Sequence, residues 1–217
     1  MTSYRNESSM PPVVMNLLIA NTVAFLAMML LDRVAILENF ALFPAESPFF
    51  AIWQPVTYMF LHADFSHLFF NMFALWMFGR GLEWEMGSKR FLLYYFVCGV
   101  GAALIQLLMA EIDLSRMVEG SLAYNYYLWT PTLGASGAVF GLLLAFGMLH
   151  PNATIMLLIP PIPMKAKWFV VIYGLVELFF GMSGAMDSVA HFAHLGGMFW
   201  GWLLLMWWRH RARSRFM

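Results

Sequence analysis

Residues 129–149 read WTPTLGASGAVFGLLLAFGML and carry no charged side chain. The hydrocarbon core of a bilayer is about 30 Å thick, so a helix needs about 20 predominantly apolar residues to cross it. Five further stretches are similarly apolar, although HADFSH interrupts the second of the six and the fifth is short. The six predicted spans are residues 12–31, 56–78, 91–110, 129–149, 167–181 and 188–208. The sequence therefore predicts an all-α polytopic membrane protein, in which residues 1–217 form one domain of six transmembrane helices.

The composition of the chain supports this prediction. Apolar residues make up 62% of it and charged residues 11%, whereas soluble domains have about 45–50% and about 25%. A chain with so many apolar residues cannot cover its surface with water-compatible side chains. This composition excludes a soluble enzyme and a disordered protein. The single cysteine, Cys98, excludes an intrachain disulfide framework. The net charge of zero argues against nucleic acid as a partner.

The distribution of lysine and arginine predicts the orientation in the membrane. With six spans, both termini lie on one side, and that side holds ten basic residues against two on the other. Because basic loops stay in the cytoplasm, we expect both termini to be cytoplasmic. The ten residues are Arg5, Arg80, Lys89, Arg90, Lys165, Lys167, Arg209, Arg211, Arg213 and Arg215, and the two are Arg33 and Arg116. A compact chain of this kind suits a bacterial plasma (inner) membrane, which is the location that we predict.

Ser136 and His194 lie at matched positions in the fourth and sixth predicted spans. Each lies seven residues beyond the predicted external end of its span, at Trp129 and at Asp187. At 1.5 Å per residue this is a depth of about 10 Å in a helix. A lone serine in a membrane helix usually bonds to its own backbone, but a serine and a histidine at one depth can act as nucleophile and general base.

Glycines beside these two residues predict a close approach of the two helices. Gly137 and Gly141 form a small-xxx-small face on the fourth span, and Gly197 and Gly201 form another on the sixth. Such faces allow near contact of helix backbones. By themselves they indicate packing, but each begins beside a candidate catalytic residue, which favours a site.

His67 and Asn71 form a third polar element, in the second span. Residues four apart share a helix face, and Asp64 or Ser66 can cap a helix that begins here. An imidazole N–H and an amide NH₂ suit the stabilisation of an oxyanion, and the backbone N–H of Ser136 would add a third donor. The alternative is an interhelical hydrogen-bonded pair with no chemistry.

Together these motifs resemble those of the rhomboid family of intramembrane serine proteases. The resemblance covers nearly the whole chain and rests on motifs in a fixed order. They are the HxxxN pair of His67 and Asn71, the GxSG motif of Gly134, Ala135, Ser136 and Gly137, the AHLGGxxxG stretch from Ala193 to Gly201, and the GRGLE segment, whose Glu83 matches a family glutamate. The fold that it implies is a rhomboid-like bundle.

The resemblance also implies a mechanism. Ser136 would be the nucleophile and His194 the base, with His67, Asn71 and the Ser136 amide as the oxyanion hole. Phe140 stands where the family often has a tyrosine that stacks on the catalytic imidazole. Since the sixth span has no acid near His194, we expect a dyad rather than a triad. The implied substrates are transmembrane segments of other proteins, and membrane lipid surrounds the protein. No cofactor, metal or nucleic acid is expected.

Several alternatives stay open at this point. His191 lies one turn before His194 and could compete as the base, but the AH-x-GG context favours His194, and we expect His191 to contact water or loops. Glu177 in the fifth span receives no role.

One other function is a catalytically inactive rhomboid-like protein that binds or escorts membrane proteins. Another is a haem or metal protein that uses His67, His191 and His194 as ligands.

Overall fold

The computed structural model describes residues 10–156, 161–183 and 188–213. Helices dominate these residues, and one short antiparallel hairpin of two strands precedes the ninth helix. A 3₁₀ turn, Tyr58–Phe60, follows the third helix, and a π-helical segment, Leu75–Gly79, joins the fourth to the fifth. The helices are α1 (Pro12–Leu30), α2 (Arg33–Phe40), α3 (Gln54–Thr57), α4 (Phe65–Ala74), α5 (Arg80–Met86), α6 (Ser88–Ser115), α7 (Leu122–Trp129), α8 (Ser136–Leu149), α9 (Ala166–Ser183) and α10 (Ser188–Arg213), and the strands are β1 (Thr154–Met156) and β2 (Pro163–Lys165).

The all-helical class that the sequence predicts agrees with this architecture apart from the small hairpin. Among the described residues, α1 and α6 are the two helices long and apolar enough to cross a membrane by length and composition. The fifth and sixth predicted spans fall within α9 and α10. The count of six spans and the cytoplasmic position of both termini stay predictions.

The second predicted span, residues 56–78, is not a single helix. The 3₁₀ turn after α3 ends at Phe60, and α4 begins anew at Phe65. Asp64 caps this helix, because its carboxylate accepts a hydrogen bond of 2.8 Å from the backbone N–H of His67. The predicted irregularity at HADFSH and the predicted cap are both confirmed.

The fourth predicted span, residues 129–149, is wrong as a continuous helix. The helix α8 begins only at Ser136, and before it Leu42 and Thr132 exchange backbone hydrogen bonds of 2.8 and 2.9 Å. Pro131 explains the interruption, because it has no N–H to donate and disfavours helical geometry in the residue before it. An extended segment rises about 3.3 Å per residue rather than 1.5 Å. The depth of about 10 Å assumed a helix from Trp129 to Ser136, so it does not apply to this extended segment.

The glycine faces bring α8 and α10 into backbone contact. A Cβ atom on Gly197 would overlap the backbone carbonyl of Gly137, so the two helices could not stay at this distance with any larger residue. This contact confirms the close approach predicted from the sequence. Gly141 and Gly201 also accommodate α6, since a Cβ on either would collide with its side chains, Cys98 among them.

Glu83 fixes the beginning of α1. Its carboxylate is buried and accepts hydrogen bonds of 3.0 and 2.7 Å from the backbone N–H groups of Val13 and Val14, and one of 2.7 Å from the Ser88 hydroxyl. The first N–H groups of a helix have no partner within it, and a negative charge is favourable at that end. The glutamate of the GRGLE segment thus joins α5 to α1.

Candidate active site

Ser136 is the first residue of α8, and the turn before it depends on Gly134. The backbone of Gly134 has a φ of 129°, in a region that side chains with a Cβ rarely adopt. Its N–H donates to the carbonyl oxygen of Tyr58 at 3.0 Å. A Cβ atom at this position would also lie 2.8 Å from Nε2 of His67. The first glycine of GxSG is thus required by the backbone and by the neighbouring imidazole.

His194 projects from α10 toward Ser136. Its Nε2 lies 2.8 Å from the Ser136 hydroxyl oxygen, which is hydrogen-bond distance. Phe140, one turn along α8 from Ser136, stacks on the imidazole with ring centroids 4.3 Å apart and planes 6° from parallel. The structure therefore brings together the serine, the histidine and the aromatic ring that the sequence singled out. The serine hydroxyl thus lies within reach of a ring nitrogen that can take its proton.

Glu177, to which the sequence analysis gave no role, completes the contacts of this imidazole. One carboxylate oxygen, Oε2, lies 3.0 Å from Nδ1 of His194, on the opposite edge of the ring from Ser136. The residue is 8% exposed and projects from α9. The prediction of an unsupported dyad is therefore wrong about the surroundings of His194, because the acid comes from the neighbouring helix rather than from its own.

His191 contacts the same carboxylate. Its Nδ1 lies 2.6 Å from Oε2 of Glu177, and its ring stacks on Phe180 with centroids 5.6 Å apart. The expectation that His191 contacts water or loops is corrected by this contact. Its ring meets that of His194 edge to face at 6.4 Å, and its Nδ1 bonds to Glu177. The histidine that reaches Ser136 is thus His194, as the AH-x-GG context predicted.

His67, near the start of α4, lies close to Gly134 and Ser136. Its Nδ1 accepts a long hydrogen bond of 3.4 Å from the backbone N–H of Ala63. A neutral imidazole that accepts at Nδ1 carries its hydrogen on Nε2. That Nε2 faces the same small space, beside the Cα of Gly134, as the Ser136 hydroxyl. His67 can therefore direct a donor toward an oxyanion formed at Ser136.

Asn71 lies one turn further along α4 and is buried. Its side-chain amide nitrogen donates a hydrogen bond of 3.0 Å to the backbone carbonyl of His67. The pair therefore shares a helix face as predicted, with one amide N–H used within α4. An amide NH₂ has a second hydrogen to donate, so a role for Asn71 in an oxyanion hole needs that second hydrogen or a rotated side chain.

A cavity of about 630 Å³ lies beside these residues, between α4 and α9. Its walls are mainly apolar and aromatic and belong to α4, α8, α9, β1 and the π-helical segment; they include Ser66, His67, Asn71, Phe140, Phe169 and Tyr173. A cavity of this volume could hold a few side chains of an extended peptide beside His67 and Phe140.

Three polar atoms in this region could bind a cation. One carboxylate oxygen of Glu177 and one ring nitrogen each of His191 and His194 lie within 4.8 Å of one another. Nitrogen and carboxylate ligands are those that zinc accepts. In this structure, however, the distances of 2.6 and 3.0 Å are those of hydrogen bonds among the three groups. The haem or metal hypothesis named His67, His191 and His194 as ligands, whereas this cluster contains Glu177 and not His67.

Most of the amino-acid sequence matches a known family. Residues 50–211 match the family model of the rhomboid domain. The chain belongs to the rhomboid family. This confirms the resemblance drawn from the motifs, and with it the assignment to a family of intramembrane proteases whose members are integral membrane proteins.

Several rhomboid relatives are similar over most of this chain. Rhomboid protein 1, mitochondrial, of Saccharomyces cerevisiae is 33% identical over 67% of this chain and 40% of its own length. The rhomboid protease GluP of Bacillus subtilis is 30% identical over 69% of this chain and 24% of its own length. The rhomboid protease AarA of Providencia stuartii is 28% identical over 70% of this chain and 54% of its own length. This rhomboid chain thus spans between 24% and 54% of these relatives.

For this rhomboid chain, Glu177 is the site residue that the sequence analysis missed. A signal was present, because an ionisable residue within a membrane span indicates function by default. Its partner was not visible in the sequence, since Glu177 and His194 lie on different helices and their facing depends on how α9 packs against α10.

Proposed function

We propose that this protein is an intramembrane serine endopeptidase that cleaves transmembrane segments of other membrane proteins. The observation that carries the proposal is the distance of 2.8 Å between the Ser136 hydroxyl oxygen and Nε2 of His194. A serine hydroxyl is a weak nucleophile unless a base takes its proton. The stacked ring of Phe140 supports the proposal further, because it fixes the plane of the imidazole.

The reaction follows from this geometry. The Ser136 oxygen attacks the carbonyl carbon of the scissile peptide bond while its proton passes to Nε2 of His194. The resulting oxyanion accepts hydrogen bonds from His67, from the Ser136 backbone N–H and from Asn71. The intermediate then expels the amine, which takes the proton from the imidazolium. A water molecule, with His194 again as the base, hydrolyses the acyl-enzyme and frees Ser136.

The substrate would reach Ser136 through the cavity between α4 and α9. A transmembrane helix hides its carbonyl groups in its own hydrogen bonds, so it has to unwind locally before Ser136 can attack one of them. Helix-breaking or small residues near the cleavage site favour such unwinding. We therefore propose a preference for substrates with these residues at the site.

The proposal includes the six-span topology with both termini in the cytoplasm, which the asymmetry of basic residues supports. The expectation of a bacterial plasma membrane gains no support from the comparisons, because relatives from yeast and from Arabidopsis thaliana are named mitochondrial.

A fluorophosphonate probe tests the nucleophile directly, since it reacts with activated serines. Intact mass after treatment is expected to show one adduct on the wild-type protein and none on Ser136→Ala. His194→Ala is expected to react at least about 100-fold more slowly, because a positioned general base contributes about 10²–10⁴ in rate. The absence of an adduct on the wild-type protein in detergents and in lipid would reject the protease and favour the escort function.

A further inference from the structure

The carboxylate of Glu177 is costly to place inside a membrane protein. A charged group there pairs with a partner or lines a polar pathway. Here one oxygen, Oε2, meets two ring nitrogens, Nδ1 of His191 at 2.6 Å and Nδ1 of His194 at 3.0 Å. Both distances are those of hydrogen bonds between ring nitrogens and a carboxylate oxygen. The contact with His194 is the one that bears on the reacting serine.

The contacts of His194 determine which nitrogen carries its hydrogen. A neutral imidazole has one N–H donor and one bare acceptor nitrogen, and an ionised carboxylate can only accept. An ionised Glu177 at Nδ1 therefore requires the hydrogen to be on Nδ1. Nε2 is then bare and faces the Ser136 hydroxyl at 2.8 Å, which is the state that can take the serine proton. With the opposite tautomer, Nε2 could not act as a base.

We propose that Glu177 is a positioning residue that makes the site a Ser–His–Glu triad. It selects the tautomer of His194 that accepts the Ser136 proton, and its charge stabilises the imidazolium that forms in the transition state. This inference rests on the proposed function. Glu177 does not touch the reacting atoms and acts through His194 alone.

A purely structural role for Glu177 would join α9 to α10 and nothing more. The variant Glu177→Gln separates the two roles, because glutamine keeps the shape and hydrogen-bonding capacity but loses the charge. Hydrogen bonds to charged groups are about twice as strong as neutral ones. We therefore expect Glu177→Gln to lower kcat by about 10- to 100-fold on a transmembrane substrate and to leave KM within about twofold.

Nitrogen-15 NMR of histidine-labelled protein in detergent provides a readout that needs no activity. Wild-type protein is expected to show His194 with its hydrogen on Nδ1, and Glu177→Ala is expected to lose that preference. Glu83→Gln is the matched control, since it removes another buried carboxylate that binds two backbone N–H groups and Ser88. We expect it to lower Tm and to leave the His194 tautomer unchanged.

The outcomes separate this inference from the proposed function. A wild-type protein without a fluorophosphonate adduct on Ser136 would overturn the protease itself. A labelled wild type with a Glu177→Gln variant of equal kcat would overturn only the role of Glu177. Wild-type His194 with its hydrogen on Nε2 would overturn that role whether or not activity is found. A fall in kcat together with a lost tautomer preference would establish the triad.

Discussion

The backbone φ of 129° at Gly134 and the imidazole of His67 restrict the same residue for different reasons. A positive φ costs a residue with a Cβ about 1–3 kcal/mol, and this cost lowers the free energy of unfolding. The clash of a Cβ with Nε2 of His67 changes the site itself, because it displaces the candidate oxyanion donor. The two effects can be measured separately.

Gly134→Ala is expected to lower the rate of Ser136 labelling by a fluorophosphonate by more than about 10-fold, since loss of one oxyanion donor costs about 10²–10³ in related chemistry. Gly87→Ala is the matched control. Gly87 also has a positive φ, of 79°, but a Cβ there meets nothing within 4 Å. The control should lower Tm by a similar amount and label at the wild-type rate. Equal labelling of both variants would contradict the assignment of His67.

At the scale of the elements, the contact between α8 and α10 sets the distance from Ser136 to His194. Gly137 follows the serine directly, and the carbonyl of Gly137 lies where a Cβ of Gly197 would be. Any residue larger than glycine at Gly197 therefore separates the two helices. Because interiors are close-packed, such overpacking costs typically about 1–3 kcal/mol.

Gly197→Ala is accordingly expected to lower Tm in detergent by several degrees and to reduce Ser136 labelling, as both helices move apart. Gly81→Ala provides the comparison within a helix, since its Cβ meets nothing within 4 Å. Alanine there should raise stability by about 0.5–1 kcal/mol and leave labelling unchanged. If Gly197→Ala melted and reacted like the wild type, the close approach would not control the site.

The elements also show what could and could not be predicted from the sequence. The GxSG and AHLGG motifs identified Ser136 and His194 because they fix residue types at short spacing. The break before α8 was missed because a count of apolar residues is blind to Pro131, which interrupts a helix without adding polarity. The contact of Glu177 was missed because it depends on the rotation of α9 about its own axis, which no local pattern records.

At the scale of the whole molecule, the asymmetry of basic residues predicts a membrane topology that can be measured. The single native cysteine, Cys98, is fully buried, so one cysteine at a time can be introduced for labelling. A membrane-impermeant thiol reagent added to intact cells is expected to label Glu119→Cys and not Lys89→Cys. Breaking the cells should make Lys89→Cys reactive. Labelling of both variants in intact cells would contradict six spans with cytoplasmic termini.

The helix α9 contributes both to the wall of the cavity and to the contacts of His194. This helix carries Tyr173, on the wall of the cavity, and one turn later Glu177, whose oxygen lies 3.0 Å from His194. A hydrogen bond stretched beyond about 3.5 Å is lost. A rigid outward shift of α9 by about 1 Å would thus widen the cavity and detach the carboxylate in one movement. The helix would then work as an interlock, in which a widened cavity and a hydrogen-bonded Nδ1 of His194 exclude each other.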